Sequence, residues 1–196
     1  MTSALVERLR SRLRADQVRD TAAELHLYRH DASNMSGQPA VVCFAETVDD
    51  VREAVRAAND FGVPFVARGS GTGLAGGAVP APGSIVISTS KMNRILSVDA
   101  VNRQAWVEPG VLNLDLSKQI AHLGVHFAPD PSSQQTCSIG GNVANNSGGP
   151  HCLADGVTSA HIHAVEVVLP DGSIAVLGGE DAEPDGYDLR GAFVGS

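Results

Sequence analysis

The chain has 196 residues, 43% hydrophobic and 18% charged, a balance that suits one domain or two small lobes and excludes wholesale disorder. With Lys+Arg 14 against Asp+Glu 22 the formal net charge is −8, which repels phosphate backbones and argues against a nucleic-acid partner. No apolar run approaches the roughly 18 residues of a membrane-spanning helix, and the three scattered cysteines (Cys43, Cys137, Cys152) fit a reducing, cytoplasmic compartment.

In chain order, Leu5, Leu9 and Leu13 recur at helical spacing among Arg8, Arg10, Arg12 and Arg14, which predicts an amphipathic surface helix. An Arg-rich start also suits a mitochondrial presequence, but Glu7 and the lack of a cleavage-like segment favour the helix. Val41–Phe44 reads as a buried strand. Thr47 and Asp50 form a capping box for a helix whose Val48, Val51, Val55 and Ala58 share a face, and Gly62 with Pro64 ends it. Phe65–Ala67 is a second strand, so a parallel βαβ unit is expected, followed by a strand at Ile85–Ile87.

After residues 88–92 the pattern changes. Ile95–Val98 and Gln104–Val107 predict an antiparallel hairpin, with Trp106 expected in the core. Leu112, Leu116, Ile120 and Leu123 mark a helix face ended by Gly124. His161–Leu169 and Ser173–Leu177, joined by Pro170-Asp171-Gly172, predict a second hairpin. The fold class is therefore α+β: a small parallel βαβ lobe, about residues 1–90, and a larger, mostly antiparallel lobe, about 91–196. The acidic stretch 178–188 reads as a solvated loop.

The composition is unusual in its glycine: 21 residues, in two long stretches. Gly71-Thr72-Gly73-Leu74-Ala75-Gly76 is a literal G-x-G-x-x-G after a strand, but Pro80 and Pro82 forbid the helix that a Rossmann turn needs. The residues suit a nest of backbone N–H groups for an anion, with hydroxyls from Ser70 and Thr72 and a positive charge from Arg68. The alternative is a surface turn. The second stretch runs from Pro129 to Gly149 inside a region, 127–160, with little periodicity, which predicts a long functional loop. Its glycines permit close approach to a flat ligand, and Ser138, Asn142 and Asn146 offer orienting hydrogen bonds.

No P-loop and no nucleophile elbow occurs. His161 and His163 would share a strand face, either as metal ligands with His151, as in a hydrolase, or packed with Val165 and Val167. Packing is the preferred reading, and no metal site is assigned. Cys137 and Cys152 are expected to be small buried fillers.

Five ordered motifs carry a resemblance. They are Arg68–Gly77, Val107–Val111, Ala128–Ser133, Ser138–Ala144, and the group Gly148-Gly149, His151–Leu153 and Phe193–Ser196. Together they closely resemble the FAD-binding (PCMH-type) domain of the vanillyl-alcohol-oxidase/p-cresol-methylhydroxylase flavoproteins. Within these the chain is most similar to the glycolate oxidase FAD-linked subunit and the D-lactate and D-2-hydroxyglutarate dehydrogenases. The resemblance implies FAD held between two lobes, with Gly69, Ser70, Gly71, Thr72, Gly73 and Leu74, beside Arg68, wrapping the pyrophosphate. It places Pro129, Asp130, Ser138, Gly140, Gly141, Asn142, Ala144 and Gly148 along the flavin and ribityl chain, with main-chain donors at Gly140 and Gly141 for the reduced flavin. It further implies hydride transfer from a small 2-hydroxy acid, with an electron-acceptor subunit as a candidate partner. A flavin-binding module without catalysis of its own is the alternative. Asp155 stands where the family carries an aromatic residue. The resemblance also implies that the substrate-binding cap and the segment that completes the second lobe's sheet after Ser196 are missing from this chain, through truncation or a separately encoded cap, so no catalytic residue is assigned here.

Overall fold

The structure, a computed structural model, describes residues 2–179 and 187–196, so most of the acidic stretch 178–188 lies outside the described residues. The chain divides into two compact units, Met1–Met92 with Val168–Ser173, and Asn93–Val167 with Ile174–Ser196.

The first unit holds α1 (Thr2–Arg10), β1 (Val18–Arg19), α2 (Ala22–Leu27), β2 (Val41–Phe44), α3 (Val48–Phe61), β3 (Phe65–Arg68) and β4 (Ile85–Ser88). Its sheet runs β1-β2-β4-β3. Both β2 and β3 pair parallel with β4, while β1 joins antiparallel at the edge. The β2-α3-β3 crossover therefore skips one position, which β4 fills. Buried at every position, β4 reads as an almost continuous apolar run, as a central parallel strand does. Its partner β3 is an edge, and Phe65 is exposed.

Local chemistry sets the bounds of α3. The Thr47 hydroxyl accepts from the Asp50 N–H and the Asp50 carboxylate accepts from the Thr47 N–H, while Gly62, at φ 61°, turns the chain out of the helix. Ala54, Val55 and Ala58 of α3 pack with Leu5 and Leu9 of α1 and with Val41, Ile85 and Ile87 of the sheet. Each Leu or Ile so buried contributes about 1.5–3 kcal/mol. The N-terminal helix thus lies on the unit's surface with its apolar side, extended by Leu13, in the core.

The second unit holds β5 (Ile95–Asp99), β6 (Gln104–Val107), α4 (Asn113–Ile120), α5 (Ile139–Asn145), α6 (Cys152–Asp155), β7 (Ala164–Val168), β8 (Ile174–Gly178) and α7 (Leu189–Phe193). β5 and β6 form an antiparallel ribbon. The Pro170–Gly172 turn joins β7 to β8 in a second two-stranded sheet, antiparallel because so short a link allows nothing else. Val111, Leu116, Ile120 and Ile139 form the core, covered by Ile95, Val107, Val125 and Phe127.

Several expectations change here. Trp106 is not a core residue: it is 38% exposed on the ribbon. Leu123 lies outside the helix face, in a 3-10 turn after α4, and is exposed. Residues 127–160 are not one irregular loop, since α5, α6 and a 3-10 turn at Thr158–His161 lie within them. Glycines at 140 and 141 each cost a helix about 1 kcal/mol, and the Ser138 cap with buried Ile139 and Asn142 offsets this. Because β7 begins only at Ala164, His161 and His163 precede the strand and share no strand face.

Candidate functional site

In the first unit the chain leaves β3 and runs from Gly69 to Gly83 without a helix, as Pro80 and Pro82 require. Among the described residues, no backbone N–H from Gly69 to Gly77 donates to another protein group. Gly71 (φ 71°) and Gly76 (φ 78°) adopt the left-handed conformation that turns successive N–H groups together, and the Gly73 carbonyl accepts from the Ala32 N–H at 3.1 Å. Ser70 and Leu74 are exposed, while Gly69 and Thr72 are half-buried.

The Arg68 side chain supports this stretch from within. It is buried, donates from Nη1 to the His30 carbonyl at 2.7 Å, and lies 5.4 Å from the centroid of the Tyr28 ring. A Cβ on Gly71 would strike its guanidinium. Burial lowers its pKa, opposed by Tyr28 and Asp31, yet it makes no ion pair with a described carboxylate. A cation held this way leaves a positive field close to the undonated N–H groups.

In the second unit Asn113, which sequence reasoning missed, organises the other stretch. Its buried amide donates to the Pro129 carbonyl at 2.9 Å, and its own N–H and that of Leu114 bond to the carbonyls of Cys137 and Gln134. An Asn on the first turn of a helix ordinarily reads as a capping residue, so nothing local signalled this reach across 16 positions. One Asp130 oxygen receives His151 Nδ1 at 2.5 Å and the other is buried without a partner. The His151 hydrogen bond holds Asp130 below the usual carboxylate range, and Asp130 in turn raises His151. A Cβ on Gly149 would collide with Asp130, whereas Gly148 packs against Val157 and Cys152.

The expected donors at Gly140 and Gly141 are already engaged. The Gly140 N–H bonds to the Pro109 carbonyl at 2.8 Å and that of Gly141 to the Ser138 hydroxyl at 3.3 Å, so neither is free for an anionic flavin. Gly140 is needed because a Cβ would meet Pro109. Ser138 is buried as the cap of α5, Ala144 is exposed, and the Asn146 side-chain oxygen is taken by the Ser159 N–H at 2.8 Å. Asn142 differs. It is 1% exposed, and neither of its amide atoms has a hydrogen-bond partner. The nearby Cys137 thiol, whose pKa burial pushes up against the opposing influence of Ser133 and Asn142, makes no hydrogen bond of normal geometry with it.

His161 and His163 are exposed, which overturns the packed reading. The His161 ring meets the Asp155 carbonyl at 2.7 Å and the edge of Phe127. Cys152 is exposed rather than buried. Among the described residues no three His, Cys, Asp or Glu side chains gather as a metal site, and no helix is long and apolar enough to cross a membrane.

A parallel-stranded unit carrying a glycine-rich run of undonated N–H groups beside a buried arginine, with a second α+β unit, suits a nucleotide-binding domain. Residues 39–178 match the family described as FAD binding domain, and the chain belongs to that family. It is 38% identical over its whole length to glycolate oxidase subunit GlcD of Escherichia coli, and covers 39% of that protein. It is 36% identical to a D-lactate dehydrogenase of Anaerostipes hadrus, over 86% of this chain and 36% of the relative. To a D-2-hydroxyglutarate dehydrogenase of Stutzerimonas stutzeri it is 31% identical, over 98% of this chain and 42% of the relative. The chain thus spans about two fifths of the length of these relatives. The p-cresol methylhydroxylase crystal structure superposes with a TM-score of 0.81 over 98% of this chain and 40% of that one, at 22% identity, which shows the PCMH-type fold.

The residues fit FAD, the family's cofactor. The nest suits a pyrophosphate. The unpartnered Asn142 amide, donor and acceptor together, suits a ring edge presenting both a carbonyl and an N–H.

Proposed function

We propose that this chain is the FAD-holding part of a flavin-dependent oxidoreductase that oxidises a small 2-hydroxy acid, of the glycolate or D-lactate type. The reading of the cofactor site rests above all on the Gly69–Gly77 N–H groups, undonated among the described residues and next to a buried Arg68 whose guanidinium donates to the His30 carbonyl and is paired with no described carboxylate. The substrate class rests on the names of the relatives. When bound, FAD supplies the hydride acceptor.

The chain's own residues bind and orient. Gly69 to Leu74 receive the pyrophosphate through main-chain N–H groups, with Arg68 supplying charge from below. Pro129 and Asp130, held by Asn113 and His151, border the ribityl chain, while Asn142 and the segment from Ser138 to Gly148 meet the ring system. No residue here is assigned to the substrate. Its orientation, and contact with an electron-acceptor subunit, belong to the remainder of the enzyme, without which the reaction lacks a proximity contribution of about 7–11 kcal/mol. The three free thiols suit a cytoplasmic protein.

The test is a visible spectrum. Purified protein is expected to be yellow, or to become so on adding FAD; protein that takes up none overturns the cofactor site. Under anaerobic mixing with glycolate, D-lactate or D-2-hydroxyglutarate the flavin of this chain alone is expected to stay oxidised over minutes, and rapid bleaching would place substrate orientation within it. A chimaera in which this chain replaces the matched part of GlcD should bleach with one of these acids. A chimaera that holds FAD and bleaches with none overturns the substrate class.

A further inference from the structure

The Asp130–His151 contact joins two segments that have no secondary structure in common. On one side is the stretch Pro129–Cys137, tied to α4 by Asn113, Leu114 and the carbonyls they hold. On the other is the turn Gly148–Asp155, where His151 precedes α6 and its carbonyl accepts from Ala154 and Asp155. Gly149 is pressed so close to Asp130 that a Cβ has no room. His151 is itself largely exposed, and Asp130 is mostly buried with its second oxygen unpartnered.

We propose that His151 is a positioning residue: its imidazolium clasps Asp130, holds the two segments together, and makes cofactor retention pH-dependent. The proposal rests on the FAD reading above and adds a residue that touches no ligand in it. The charged groups facing the imidazole are Asp130 from the preceding segment and Asp155 from α6, both of which favour its protonated form. Cys152 follows it in the chain, and His161 is engaged with the Asp155 carbonyl. Because Asp130 raises His151 and His151 lowers Asp130, the clasp is complete between the two shifted values. It is lost as pH rises through the raised histidine value, and at the acid end as pH falls through the lowered carboxylate value.

The experiment compares wild type, His151→Gln and Asp130→Asn. Amide hydrogen exchange of ligand-free protein is expected to quicken in residues 129–137 and 147–155 in both variants, and to leave the first unit unchanged. In wild type the protection of the same segments, corrected for the intrinsic base-catalysed exchange rate, should fall as pH rises through the raised histidine value. FAD affinity, read by flavin fluorescence, should fall in wild type as pH rises through that value and be weak and flat in His151→Gln. Unchanged exchange overturns the clasp whether or not FAD binds. Quickened exchange with unchanged, pH-independent FAD affinity overturns its link to the cofactor. Wild type that binds no FAD at any pH overturns the FAD reading, and the exchange data then decide the clasp alone.

Discussion

Arg68 and Tyr28 form a cation–π pair, the guanidinium 5.4 Å from the ring centroid, and Gly71 has no side chain because that guanidinium occupies the space. The charge that sequence reasoning places beside the glycine loop is thus a buried strut beneath it. The same Tyr28 ring meets Phe44 edge-on, so the strut is anchored to β2.

Arg68→Met and Tyr28→Leu are each expected to weaken FAD binding, although Tyr28 is assigned no contact with phosphate. Since both remove one arrangement, a double-mutant cycle should show coupling of about 1 kcal/mol. Tyr28→Phe keeps the ring and should bind as wild type does. Strict additivity in titrations of the four proteins would show that Arg68 acts on FAD independently of Tyr28.

Gly71→Val is expected to abolish FAD retention, because a branched residue at positive φ is strained by about 1–2 kcal/mol and would displace Arg68. Bound flavin and thermal midpoint, measured together, separate loss of the site from loss of the fold. Wild-type affinity in Gly71→Val would remove this loop from the site.

Asn142→Leu should move stability and binding in opposite directions. The amide is buried without a partner, so an apolar residue of similar shape is expected to stabilise the ligand-free chain by about 1 kcal/mol. FAD affinity should fall, since the donor and acceptor offered to the ring edge are gone. Chemical denaturation without ligand and an FAD titration check the two signs. A destabilised variant would mean that Asn142 is satisfied within the protein.

Glu108 is buried at the end of the ribbon and accepts from the Arg94 N–H at 2.8 Å and from its guanidinium at 2.6 and 3.0 Å. These bonds lower its pKa from the usual 4.5. Their stabilisation is therefore present above pH 4.5 and fades as pH falls through the lowered, folded-state value. Arg94 is two-thirds exposed, so screening limits the effect. Glu108→Gln should cost about 1 kcal/mol at neutral pH and less in acid, read from denaturation midpoints across pH.

Strands β2 to β6 and the longer helices are legible in the chain alone because their signals are local, whereas the two-residue β1 carries no such signal. Thr47, Asp50 and Gly62 bound α3 by backbone chemistry within a few residues, and Ile85-Val86-Ile87 can be little other than a buried strand. The glycine-rich run at 69–77, broken by Pro80 and Pro82, likewise excludes a helix on covalent grounds alone. What tertiary structure decided are the partners of polar groups. Asp130 meets His151, 21 positions away, and Asn113 reaches Pro129. Pro109 takes up the Gly140 N–H, and Arg68 turns inward to Tyr28 and His30. An apolar side chain announces burial by its type and period, because water rejects it wherever it lies. A carboxylate, imidazole or amide is equally at home in water, at a cap or against a distant carbonyl. Which of these it takes depends on what the fold brings within about 3 Å, and no spacing along the chain encodes that.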